Sequence, residues 1–227
     1  MPDLSIALPS PQLEEELLRV VDVEGKIPAA LETLGPVVGR DVVVLDSGGG
    51  RLCGRLTAMG ARVAAFPFPL SEQAAADLTG WVGRAEVVVV PWSELAAPGS
   101  SFLAEAGALL RPCGRLLVIH DYGRDDIWSL MPELRTRLMD WSHRKGPFLG
   151  EGFRIRVIHC WWTFESMEQA TRLLETAWGP AGLALAEKMA KPRLEYSVAI
   201  FHRSAPAAGT AGEAGVEAQA RAGLVPS

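Results

Sequence analysis

What this chain lacks excludes several classes of protein before any motif is read. It has no excess of basic residues: 22 Lys and Arg stand against 27 Asp and Glu, a formal net charge of −5. That balance gives no overall electrostatic footprint for nucleic acid, so no nucleic-acid partner is expected, although a local basic patch is compatible with it. The three cysteines, Cys53, Cys113 and Cys160, are odd in number and far apart. They suit neither a disulfide framework nor a CxxC zinc site, so no metal is expected, and each reads as a small buried apolar residue. No run approaches the roughly 18 consecutive apolar residues of a membrane span. The first 20 residues carry Asp3 and the consecutive Glu14, Glu15 and Glu16 without an apolar core, so a signal peptide is not expected and the protein reads as soluble and cytoplasmic. No internal repeat and no second domain are visible.

What is present suffices for one α/β core, since 48% of the 227 residues are hydrophobic. The chain is organised around DVVVLDSGGGRL, Asp41 to Leu52. Val42 to Leu45 reads as a strand buried on both faces. It stops at Asp46, and Gly48, Gly49 and Gly50 lead into helical spacing at Leu52, Leu56 and Met59. Such a turn lies at the carboxyl ends of the strands, where open α/β sheets bind ligands. Its glycines let the backbone approach a ligand, and the new helix presents free N–H groups with partial positive charge. Spacing argues against two familiar versions of this turn. Gly49 and Gly54 have the separation of a phosphate-cradling loop, but Arg55 and Leu56 follow where Lys and Ser or Thr are needed. A dinucleotide fingerprint from Gly48, Gly50 and Cys53 needs an acid about 20 residues on. The next strand instead ends Ala64, Ala65, Phe66, Pro67.

Asp46, Gly48 and Gly50 resemble the first motif of class I S-adenosylmethionine-dependent methyltransferases, an acid at the strand end followed by Gly-x-Gly-x-Gly, with Leu52 in place of the third glycine. Ala85 to Leu95 resembles the fourth strand of that family and Phe102 to Tyr122 the following helix and fifth strand. Arg111, Pro112, Cys113 and Gly114 follow the family's Arg-Pro-Gly-Gly turn. The resemblance covers roughly Asp41 to Tyr122. It implies a doubly wound, mostly parallel sheet of six or seven strands, Rossmann-like, with an antiparallel last strand. It also implies S-adenosylmethionine as cofactor, with its methionine end held at Asp46, Ser47, Gly48, Gly49 and Gly50. Phe66, Pro91 and Trp92 would line the site from neighbouring strand ends, Trp92 bordering the sulfonium, and a small-molecule acceptor would complete it.

Three departures qualify that picture. Leu52 is the first. Pro67 falls where the family carries an acid that accepts hydrogen bonds from the ribose hydroxyls. Only 39 positions separate Asp46 from Ala85, too few for two crossover units of roughly 30 residues each. One strand, whose loop contacts the adenine in the family, is therefore expected to be missing. These departures hold open an alternative from another class, a non-catalytic relative acting as a binding or assembly module. Self-association is compatible with either.

The flanking segments read as follows. Pro11 to Val21, capped by Ser10, and Pro28 to Leu34 are helical, making residues 1–40 a helical cap ahead of an α/β domain over 41–203. A helix from Ser71 to about Val82 has Ala74, Ala75 and Leu78 inward. The strand Arg115 to His120 ends in the densest polar cluster, His120, Asp121, Tyr122, Gly123, Arg124, Asp125, Asp126. His120 has the titration range of a general base, with Asp121 to orient it or to bind a substrate cation. The plainer reading hydrogen-bonds His120 within the strand end and uses Asp125 and Asp126 to cap a helix beginning near Ile127. Phe153 to Trp162 and Leu194 to Phe201 read as the strands that close the sheet. Between them lie a helix from Glu165 to Trp178, stopped by Gly179 and Pro180, and another from Ala181 to Met189. Residues 204–227, half of them Ala or Gly, read as a disordered tail.

Overall fold

The computed structural model describes residues 10–45 and 50–207. The predicted contacts of Asp46, Ser47, Gly48 and Gly49, and the reading of the tail beyond Ala207, lie outside the described residues. Six strands form one sheet: β1 (Asp41–Leu45), β2 (Arg62–Phe66), β3 (Ala85–Pro91), β4 (Leu110–Asp121), β5 (Arg154–Thr163) and β6 (Arg193–Ser204), in the order β2-β1-β3-β4-β6-β5. β2, β1, β3 and β4 are mutually parallel, and β6 runs antiparallel to both of its neighbours.

The valine runs explain why this sheet is central. Side chains alternate between the faces of a strand, so a continuous apolar run needs cover on both sides. Val42 and Val44 point into one core, together with Val87, Val89, Leu117 and Ile119. Val43 and Leu45 point into the other, with Val88, Val90, Leu116 and Val118. The first face is covered by α1 (Pro11–Val20), α2 (Lys26–Leu34), α3 (Arg51–Ala58) and α8 (Met167–Ala186), and by the 3-10 turn Ile127–Leu130 with α6 (Pro132–Trp141). The second is covered by α4 (Glu72–Thr79), α5 (Ser101–Ala108) and the short α7 (Pro147–Gly150). The N-terminal helices are thus part of one core with the sheet. In α1, Ser10 accepts a hydrogen bond from Leu13 N, and Leu13, Leu17 and Val20 are buried, each contributing about 1.5–3 kcal/mol relative to exposure.

Several sequence readings are corrected. The helix after β2 ends at Thr79, short of Val82, and has no fully buried residue; Ala74 and Leu78 are half-buried while Ala75 is exposed. With one strand fewer than the usual seven, this single helix spans the crossover from β2 to β3. A cavity of about 350 Å3 remains between it and α5, lined by Leu45, Phe68, Leu78 and Phe102 among others. Cys53 and Cys160 are buried, but Cys113 is exposed. It sits at φ +61°, a left-handed conformation that favours glycine, in the turn where the family motif has one. The break at Gly179 and Pro180 is present as a kink within α8, with Gly179 at φ +58°. No helix among the described residues is long and apolar enough to cross a membrane.

Candidate functional site

β1 has β2 on one side and β3 on the other, so the chain reverses its direction of travel across the sheet between β1 and β3. At such a switch point the loops leaving the two strands diverge and open a crevice beyond their carboxyl ends. Here that crevice lies between the first turn of α3, through Arg51, Leu52 and Arg55, and Trp92 just after β3. Its remaining wall is Leu18, Val21, Asp22, Ile27 and Pro28, from α1, α2 and the turn joining them. Gly50 occupies the N-cap of α3 and supplies no side-chain cap.

Asp22 fastens that wall to α3. Its carboxylate accepts from Lys26 N at 2.8 Å and Ile27 N at 3.1 Å, which caps α2, and from Arg55 Nη1 at 3.0 Å. Arg55 Nη2 donates to the carbonyl of Asp22 at 2.9 Å. Arg51 donates to the carbonyls of Leu18 and Val21. Asp22 is 3% exposed and adopts φ +46°, so its position is set by the partners it serves. The crevice has a volume of about 30 Å3, room for about one water. Sequence reasoning missed Asp22, Arg51 and Arg55. The Asp-Val-Glu-Gly stretch ahead of α2 carried a turn signal for Asp22, whereas nothing local marks the two arginines.

Trp92 forms the floor. It is buried, in the left-handed region at φ +46°, which for a bulky side chain is a true outlier costing of order 1–3 kcal/mol. Its backbone N–H donates to Ile119 O at 2.8 Å and its indole N–H to Asp121 Oδ1 at 3.2 Å. Tyr196 OH donates to the same carboxylate oxygen. Burial, then the charge of Asp121, pushes the Tyr196 hydroxyl well above its ordinary range. Asp121 is therefore a buried acceptor shared by β3 and β6.

His120, one residue earlier, points to the opposite face. Its ring packs on Trp141 at 4.8 Å and Phe148 at 5.9 Å, and its Nε2 lies 3.3 Å from Ala96 O. A carbonyl only accepts, so Nε2 carries the proton. Burial, reinforced by Arg137, pushes its pKa down to about 4. The expected pairing of Asp121 with His120 is corrected by strand alternation, which sends neighbouring side chains to opposite sides. Asp125, expected to cap the following turn, has its charge favoured by the backbone N–H of Trp128 in that turn and also reaches β6, where it accepts from Ser197 N at 2.9 Å. Burial first, then the repulsion of Asp121, pushes its pKa up to about 7. Phe66 is buried in the second core, Pro91 ends β3 opposite Ile119, and Pro67 is exposed at the end of β2. The structure thus gathers Gly50, Trp92 and Asp121 near the switch point and buries Phe66 in the second core, while His120, leaving β4 from the other face, lines a small pocket with Trp92, Arg137 and Trp141.

The sheet order, with its antiparallel closing pair, defines a methyltransferase-like fold short of one strand. Solved structures similar to this chain are at low identity. A candidate type II methyltransferase from Anaeromyxobacter dehalogenans is 17% identical, with 79% of this chain and 96% of that chain covered and a TM-score of 0.47. A geranyl diphosphate methyltransferase, in complex with GPP and sinefungin, is 15% identical over 84% and 81%, with a TM-score of 0.44. The phosphoethanolamine N-methyltransferase 2 of Haemonchus contortus, in complex with phosphomonomethylethanolamine and S-adenosylhomocysteine, is 12% identical over 79% and 52%, with a TM-score of 0.43. No family model and no curated protein matches the chain.

Proposed function

We propose that the protein is an S-adenosylmethionine-dependent methyltransferase acting on a small-molecule acceptor, with its cofactor site at the β1–β3 switch point. The observation that carries this reading is the crevice between the first turn of α3 and Trp92, roofed by α1 and α2. It lies beyond the carboxyl ends of β1 and β3, where open α/β sheets bind ligands, and it is bordered by Trp92 in a strained conformation of the kind that clusters at functional sites.

The residues fit one end of the cofactor better than the other. The amino end of α3, where Gly50 lets the backbone approach a ligand, suits a carboxylate such as that of the methionine part, and Asp46 would hold the amine. Pro67 offers the ribose no side-chain acceptor. The cofactor, when bound, supplies a methyl group on a sulfonium, a leaving group that needs little help. The chain's own part is then alignment of the acceptor, exclusion of water under α1 and α2, and a polar floor at Asp121. His120, neutral at pH 7 with its Nε2 proton engaged, would hold the far wall and take no proton. Entry of a nucleoside requires the α1–α2 turn to move away from Arg51 and Arg55.

A second reading, a non-catalytic module on the same scaffold, is favoured by Pro67 and by the small crevice. Calorimetric titration with S-adenosylmethionine, S-adenosylhomocysteine and NADH separates the two. The enzyme reading expects micromolar binding of the first two, none of NADH, and loss of binding in Asp46→Ala. Absence of heat with both, from folded protein, would overturn it in favour of the second.

A further inference from the structure

The opposite edge of the sheet carries a feature that methyl transfer does not use. Where β4 and β5 begin and β6 ends, Arg115, Arg154, His202, Arg203 and Ser204 line a cavity of about 560 Å3 together with Glu151. Arg154 pairs directly with His202, and Arg115 with Ser204, two residues along β6 from His202. Directly paired residues share a face, so Arg154 stands beside His202 and Arg115 diagonal to it on one face, while Arg203, the next residue, leaves β6 from the other face. The Arg203 guanidinium lies 4.5 Å over the ring of Phe153.

These arginines are treated differently from their neighbours. Arg40, Arg62 and Arg111, on the same edge, pair with Asp41 or Glu86 at 2.6–2.7 Å. Among the described residues, Arg115, Arg154 and Arg203 have no carboxylate within ion-pair distance. Arg115 donates only to the Ser204 hydroxyl. Like charges brought together across strands are destabilising, and an acidic chain has carboxylates to spare for neutralising them. His202 registers the resulting potential: burial, then Arg115 and Arg154, holds its pKa below the ordinary histidine value.

We propose that this pocket is an anion site that takes the phosphate of a small phosphorylated molecule. Arg115 and Arg154 on one face, with Arg203 lining the cavity from the other, stand against the single carboxylate of Glu151 and leave a formal charge of about +2, a match for a phosphate dianion at neutral pH. The planar forks of arginine suit its oxygens, and the volume is that of a small-ligand site. The site is independent of the cofactor reading and stands or falls without it.

The test titrates the full-length protein at low ionic strength with inorganic phosphate and with glycerol phosphate, followed by calorimetry and by NMR of the His202 ring. Binding is expected with one or both, with the His202 pKa rising as the anion offsets its neighbours. Arg154→Gln and Arg203→Gln, both at solvent-accessible positions, should stay folded by circular dichroism and lose affinity by about tenfold or more, the value of a charge-assisted hydrogen bond. No binding of either anion, or equal binding by the Arg154→Gln protein, would overturn the proposal. Binding of a short DNA duplex in place of both small anions would also overturn it, in favour of a nucleic-acid surface.

Discussion

At the carboxyl edge of the sheet three buried carboxylates take their hydrogen bonds from within the chain, although Asp125 Oδ1 has no partner among the described residues. Asp22 meets Arg55 and the amino end of α2, Asp121 meets Trp92 and Tyr196, and Asp125 meets the backbone of Ser197. At the amino edge Arg115, Arg154 and Arg203 stand around an open cavity without a carboxylate partner among the described residues. The contrast separates two uses of charge in one fold. Buried groups that answer one another hold elements in place and close the crevice. Cations left unanswered on a rim are poised for something the chain does not supply.

The largest effect should come from breaking a match at the carboxyl edge. Asp22→Ala strips the cap from α2 and leaves Arg55 and the α1–α2 turn without their anchor. Loss of one partner of a buried pair costs about 3–5 kcal/mol, so urea denaturation should show a loss of this order, and a loss below about 1 kcal/mol would mean that the anchor is not structural. Asp125 tests the same edge through pH. Its pKa is raised from 3.8 to about 7 in the folded protein, so the folded form keeps a proton that the unfolded form gives up. Its contribution is therefore greatest below about pH 4 and is lost as pH rises through about 7, by up to a few kcal/mol. Asp125→Asn should flatten stability across that window, and an unchanged slope would locate the pH dependence elsewhere. The smallest effect belongs to the amino edge. Cys113→Gly relieves the left-handed position in the turn beginning β4 and should stabilise by about 1 kcal/mol in the same denaturation experiment.

How much of this was legible in the sequence depends on how local its cause is. The valine runs of β1 and β3 carry their own evidence for burial on both faces, and the short interval between Asp46 and Ala85 already argued against one strand, within an expected sheet of six or seven. Ser10 and Ser71 mark helix starts that are capped by those side chains, while the helix read from Glu165 begins at Met167 with Ser166 as its cap. The site was less legible because its contacts join distant segments. Asp22 and Arg55 are 33 residues apart, and Asp121 and Tyr196 75 apart, with no spacing rule to connect them. His120 and Asp121 were adjacent and chemically suggestive, yet strand geometry separates adjacent side chains. The basic row needed the antiparallel register of β4, β6 and β5, because an overall charge of −5 conceals it.

The central proposal is that S-adenosylmethionine binds at the β1–β3 switch point. Amide and indole chemical-shift mapping on titration with S-adenosylhomocysteine tests this most directly. The account predicts that the resonances of Gly50, Leu52 and the Trp92 indole move together, with those of Asp22 and Ile27 following as the α1–α2 turn shifts. Saturable shifts confined to Arg115, Arg154 and Arg203, or no shifts at all, would contradict it.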